Sequence, residues 1–213
     1  MTRILTNLHA LFHGESFVNL QWSHLVFLAG NTIYLSTRGL FMRQRAADRK
    51  VVSKATTLDW MLILILVVCQ VILPTLLLFT PLINWANYSV PTAFRLLAIP
   101  IMVVGLWLFW RSHVDLGKCW SVTLKLNQGH ELIVAGVYRY MRHPMYSSFF
   151  LLAISQAFLL NNWLAGGAAF PAVALLYLIR VPSEETMMIE HFGDEYLCYR
   201  QKTNAILPFR GRH

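Results

Sequence analysis

Residues 58–79, LDWMLILILVVCQVILPTLLLF, decide what kind of protein this is. They are about twenty residues dominated by Leu, Ile and Val, the length of helix that a hydrocarbon core requires. Pro74 within the run predicts a kink. The whole chain repeats the theme. Of its 213 residues 56% are hydrophobic and 13% charged, where a soluble domain carries about a quarter charged. A bilayer is the solvent this composition suits.

Working outward, the preceding stretch, 38–54, holds six basic residues (Arg38, Arg43, Arg45, Arg49, Lys50, Lys54) against one Asp48 and reads as a cytoplasmic loop. Before it, residues 17–36 form a weaker candidate span, diluted by Asn19, Gln21, His24 and Asn31. No signal peptide is expected, because the first long apolar run comes late and lacks a small-residue cleavage site. After residue 79, the segment 81–91 has two prolines, two asparagines and no Lys or Arg, as an external loop would. Residues 94–110 make a third span, with Pro100 and Gly105 as bend or close-packing points and Trp107 and Trp110 at the interface.

Residues 111–142 are too polar to span. Segments 145–160 and 164–179 follow, joined by Asn161-Asn162-Trp163, a tight turn that predicts an antiparallel helical hairpin. Gly166, Gly167 and Ala168 would let its helices approach closely. Residues 180–213 return to the cytoplasmic side. In that run Pro182 suits a first helical position, Gly193 a C-terminal cap, and Asp194 the opening of a last short helix with Phe192, Tyr196 and Tyr199 on its buried side.

The expected fold is thus all-α: an integral membrane bundle of about five transmembrane helices, with a C-terminal helical hairpin whose cytoplasmic mouth is polar. Residues 1–110 supply the N-terminal spans and 111–213 the connector, hairpin and C-terminal helices, as one structural unit. With the N-terminus outside and the C-terminus inside, all of the 18 Lys and Arg residues but Arg3 and Arg95 fall on the cytoplasmic side. That distribution accounts for the net charge of +8. No recognition helix or basic arm points to nucleic acid.

Three scattered cysteines (Cys69, Cys119, Cys198) form neither a disulfide framework nor a zinc signature, and HExxH spacing is missing, so no metal is expected. GxSxG, GxxxxGK[ST] and GxGxxG are also missing. The chemistry-bearing groups gather elsewhere. His130, His143, Arg180 and Glu184 cluster at the cytoplasmic end of the hairpin. Arg180 and Glu184 are four residues apart, on one helical face. Glu185 reads as a solvated neighbour, and His143-Pro144 also marks a helix start.

Two stretches in this order, GHELIVAGVYRYMRHPMY (129–146) and RVPSEETMMIEHFGDEYLCYRQKT (180–203), closely resemble the isoprenylcysteine carboxyl methyltransferase family, integral membrane enzymes related to the phospholipid methyltransferases. The resemblance covers residues 110–209 and implies that 111–213 is the catalytic region, with a cytoplasmic cofactor pocket. It implies S-adenosylmethionine as cofactor, touched by His130, Glu131, Leu132 and Ile133, walled by Tyr138, and held further by His143, Pro144, Met145, Tyr146 and Glu184. Met145 stands where the family has a serine or another small residue. Arg180 falls at the family's substrate-facing arginine, which with Glu184 makes the catalytic pair. The implied partner is a lipid-like or prenylated acceptor arriving sideways from the membrane lipids between the hairpin and its neighbours.

A carboxylate acceptor, with a pKa of about 3.5, is already ionised and needs no base. An amine acceptor would need one, and none stands out. The alternatives are a phospholipid or small-molecule methyltransferase of the same family, or an NADPH-dependent reductase of the sterol type.

Overall fold

The structure is a computed structural model and describes residues 20–47, 56–117 and 132–208. Among these residues it is helical throughout, with two isolated β-bridges as the only extended pairings. Five long helices run in sequence: α1 (Trp22–Ala47), α2 (Thr57–Phe79), α3 (Thr92–Leu116), α4 (Pro144–Leu160) and α5 (Ala169–Phe192). A short α6 (Asp194–Lys202) closes the order. The helices Thr57–Phe79, Thr92–Leu116 and Trp163–Phe192 are long and apolar enough to cross a membrane, and Pro144–Leu160 is a shorter apolar helix beside them. The chain is a multi-pass membrane protein.

Three expectations change in detail. The first helix runs to Ala47, so Arg38 and Arg43 ride on it rather than on a loop. Pro182 does not start a helix; it lies inside α5, which continues unbroken from the apolar segment to Phe192. Where a proline kink is expected, α2 carries a π-turn at Val68–Ile72, just before Pro74. There the Leu73 amide reaches back to the Val68 carbonyl, five residues away, leaving the Cys69 carbonyl without its usual helical donor. In lipid an orphaned carbonyl is costly. The Gln156 carboxamide of α4 donates to it at 2.8 Å, and to the Ala165 carbonyl at 2.6 Å.

The hairpin turn forms as the residues predict. Asn161 adopts left-handed backbone, φ 49°, which Asn tolerates. The fully buried Asn162 accepts from the Leu164 and Ala165 amides at 3.0 and 2.9 Å, capping the next helical turn. It also donates to the Ile83 carbonyl at 2.8 Å and to Asn87 at 2.7 Å. At Gly166 a Cβ would meet the Ala157 Cα at 3.0 Å, so this glycine does let the helices touch; Gly167 faces Trp163 of its own turn.

Two apolar clusters fill the bundle. Phe27, Leu77, Ala98, Met102, Leu159 and Ala165 pack at the turn end. Leu62, Phe109, Tyr146, Phe149, Val173 and Leu176 pack toward the opposite end, where the polar groups collect. The most extensive helix pairing is α3 on α4, admitted by Gly105, whose Cβ would stand 3.2 Å from Leu151 and Leu152.

Candidate functional site

The polar mouth is built on the corner Arg142-His143-Pro144. Pro144 is the first residue of α4, where its missing N–H costs nothing. The two residues before it turn their amides to the chain's last described segment: Arg142 N–H donates to the Asn204 carbonyl at 2.9 Å and His143 N–H to Ala205 at 2.8 Å. The Ser147 hydroxyl adds a bond to the Ile206 carbonyl at 2.6 Å. The Arg142 guanidinium donates to the carbonyls of Thr203 and Arg200. Gly193, with φ 54°, ends α5 and lets α6 fold back so that this segment reaches the corner.

Across from the corner, α5 presents two adjacent glutamates. Glu184 accepts from the Tyr146 hydroxyl at 2.7 Å, lies 3.6 Å from His143 Nδ1, and pairs with Arg180 Nε at 3.5 Å. Glu185 pairs with Arg142 Nε at 2.9 Å, His143 Nε2 at 3.2 Å and Arg200 Nε at 3.3 Å. The His143 ring therefore stands between the two carboxylates with one nitrogen toward each. Glu185 is no solvated neighbour: its side chain is 12% exposed, and it has more charged partners than Glu184. Arg180 reaches a further acid, Asp59 of α2, at 3.8 Å.

The connector is tied down separately. Asp115 of α3 pairs with Arg111 at 2.8 Å and accepts from the Val137 amide at 2.8 Å. Gly136 is required beside it: φ is 61°, and a Cβ would overlap the Asp115 carboxylate at 2.0 Å. Tyr138 is buried, and its hydroxyl bonds the Ser112 carbonyl at 3.4 Å instead of entering the glutamate cluster. Burial raises its pKa and keeps the phenol neutral. The Tyr199 hydroxyl donates to the Tyr138 carbonyl at 2.5 Å, and neighbouring Tyr196 is pushed up to about 12 by burial.

The residues named from the sequence thus separate into groups. His143, Tyr146, Arg180 and Glu184 come together. Pro144 and Met145 sit beneath them as packing, Pro144 fully buried and Met145 against the Tyr146 and Phe149 cluster. Ile133 packs on the buried Leu108, Val137, Tyr138 and Met141, and Leu132 is half-buried beside it. His130 and Glu131 lie outside the described residues.

Asp59, Arg142, Glu185 and Arg200 were missed. The available signal was the excess of cations in the RHP corner and around Arg200, which called for a second acid beside Glu184. A separate apolar cavity of about 790 Å³ opens between α3 and α4, walled by Val104, Trp107, Leu108, Phe150, Leu151 and Ile154. None of the described residues named for the cofactor lines it. No group of metal ligands occurs among the described residues.

Residues 97–190 match the family described as isoprenylcysteine carboxyl methyltransferase. A protein-S-isoprenylcysteine O-methyltransferase of Schizosaccharomyces pombe is 31% identical over 113 residues, 52% of this chain and 48% of that protein. A probable protein-S-isoprenylcysteine O-methyltransferase of Oryza sativa subsp. indica is 36% identical over 98 residues, 45% of this chain and 51% of its own. The chain spans about half the length of these two relatives. The solved structure of the eukaryotic intramembrane Ras methyltransferase, isoprenylcysteine carboxyl methyltransferase without a monobody, superposes with a TM-score of 0.56. It has 19% identity and covers 98% of this chain and 73% of that one. This likeness is one of fold. The family resemblance read from the two motifs holds.

Proposed function

From the premise that residues 97–190 carry the isoprenylcysteine carboxyl methyltransferase family's pattern, we propose that the chain is a membrane methyltransferase. It uses S-adenosylmethionine and methylates a carboxylate on a lipid-like acceptor. The observation that carries the reading is the convergence of His143, Tyr146, Arg180 and Glu184 at one end of the helical hairpin. The relatives named above are protein-S-isoprenylcysteine O-methyltransferases, and a prenylcysteine carboxylate is the acceptor class we assign.

The donor set suits the cofactor. Glu184 is a carboxylate that retains some exposure, at 21%. Its Tyr146 and His143 partners orient it to accept bonds from hydroxyl or ammonium groups. His130, Glu131, Leu132 and Ile133 of the connector, with Tyr138, are proposed to complete the pocket around it. Once bound, S-adenosylmethionine supplies a methyl group on a sulfonium. An acceptor that is already a carboxylate would take that methyl without a base, so Arg180 and Glu184 would hold charge in place rather than move a proton.

Arg180 orients the acceptor carboxylate by a fork of N–H donors. The protein carboxylates around Arg180 moderate the grip, so the oxygen keeps its nucleophilicity. Opposite charges disappear in the transfer, and the apolar wall of Tyr146, Phe149 and Tyr177 beneath the mouth favours that outcome. A prenyl tail fits the apolar cavity between α3 and α4, whose volume lies within the range of ligand sites. We assign the mouth to the cytoplasmic side, with the N-terminus outside.

Calorimetry of the purified protein tests the reading. S-Adenosylhomocysteine should bind, and NADPH should not. Glu184→Ala should weaken that binding about tenfold or more, the loss of one charge-assisted contact. Arg180→Ala should leave it within twofold but lower methyl transfer about a hundredfold, as misplaced reactants do. Wild-type behaviour in both variants would refute the assignment.

A further inference from the structure

Asp59 has a local role that any sequence reader would accept, at the start of α2. Its Oδ2 accepts from the Thr56 amide at 3.0 Å and the Thr56 hydroxyl at 2.9 Å, while the Thr56 oxygen accepts from the Asp59 amide at 3.2 Å. That reciprocal pair is a capping box. Capping alone leaves one oxygen and the burial unexplained. Capping carboxylates work well in water, whereas the Asp59 side chain is only 9% exposed and Oδ1 faces Arg180 Nε, itself on a side chain 11% exposed. A carboxylate withdrawn from water costs several kcal/mol unless a cation meets it. Arg180 is that cation.

The other carboxylate at Arg180, Glu184, is shared. It also accepts from Tyr146 and faces His143. If Glu184 turns to the cofactor, as proposed above, Arg180 loses one counter-charge at the moment it must present its guanidinium to an acceptor. Asp59 comes from a different helix, has no proposed cofactor role, and approaches the same Nε. A carboxylate beside Nε limits how the planar guanidinium can turn, and that planar set of N–H donors is what a carboxylate acceptor would meet.

We propose that Asp59 is the positioning residue for Arg180: it fixes the guanidinium from outside residues 97–190 and so makes the N-terminal spans part of acceptor recognition. The proposal rests on the methyltransferase reading for its kinetic consequence, but the pairing itself can be measured without it.

The test uses the full chain in lipid nanodiscs, with S-adenosylmethionine and a farnesylcysteine acceptor. Asp59→Asn keeps an oxygen for the cap and removes the charge. It should lower kcat/KM for the acceptor about tenfold, mainly through KM, with S-adenosylhomocysteine affinity within twofold. Asp59→Glu should recover part of that loss. In an Arg180→Ala background, Asp59→Asn should cost nothing more. Thr56→Val, which strips the cap and leaves Asp59, should lower Tm by about 3 °C and preserve kcat/KM.

Thermal unfolding of the same four-member cycle, without donor, reads the pair independently of turnover. Non-additive Tm shifts for Asp59→Asn and Arg180→Ala support the contact, and additive shifts overturn it. Wild-type acceptor kinetics in Asp59→Asn, beside a crippled Arg180→Ala, also overturn it. Wild-type protein that binds no S-adenosylhomocysteine, yet shows coupled unfolding, would instead sink the methyltransferase reading and leave the pairing standing.

Discussion

The two ends of the α4–α5 hairpin are held by different chemistry. At the turn end the fasteners are neutral amides. Asn162 and Gln156 make short bonds of 2.6–3.0 Å, almost all to main-chain atoms that cannot leave. At the mouth the corner is also clasped by main-chain carbonyls, but across it the fasteners are charged side chains facing other side chains, and several pairs are long: 3.5 Å for Arg180 to Glu184, 3.6 Å for His143 to Glu184, 3.8 Å for Arg180 to Asp59. Main-chain carbonyls and amides are fixed by the chain itself, whereas carboxylates with several distant partners can exchange one for a ligand. The turn end is built to stay shut and the mouth to trade contacts.

That contrast can be broken at either end. Glu185→Ala should have the largest effect, because it removes the carboxylate that Arg142 and His143 share at a site 9–10% exposed. Removing one partner of such a network costs about 3 kcal/mol, and S-adenosylhomocysteine affinity should fall with Tm. Gln156→Leu should cost about 2 kcal/mol by orphaning the Cys69 and Ala165 carbonyls. Yet it should leave ligand affinity unchanged, and a shift in affinity would show that the ends are coupled. Gly136→Ala should cost about 1–2 kcal/mol through left-handed strain and weaken donor binding by displacing Asp115. Tyr199→Phe should be mildest, about 1 kcal/mol in thermal unfolding for the lost bond to the Tyr138 carbonyl.

The apolar spans, the Asn161-Asn162 turn and the Gly193 stop were legible because each is written in consecutive residues: hydropathy, left-handed tolerance and a missing Cβ are local properties. The partners were not. Gln156 looks like an isolated polar residue in an apolar helix until the π-turn of α2 is seen to leave a carbonyl facing it. Glu185 reads as solvated because its Arg142 partner is 43 residues away. Pro182 misled for a physical reason as well. A proline inside a helix forfeits one hydrogen bond, but α5 runs through it, with the Thr186 hydroxyl bonding the Pro182 carbonyl at 3.0 Å. The family motifs located the mouth, and the charges around it had to be found in space.

The corner at Arg142 and His143 takes its carbonyl partners from residues 203–206. Those carbonyls lie beyond α5, the last of the long helices described. The long helices and the closed corner therefore depend on different residues, the corner on a few peptide units at the far side of α6. Released chains truncated after residue 202 should be inserted yet blind to S-adenosylhomocysteine, and binding by such chains would show that the corner closes without its clasp.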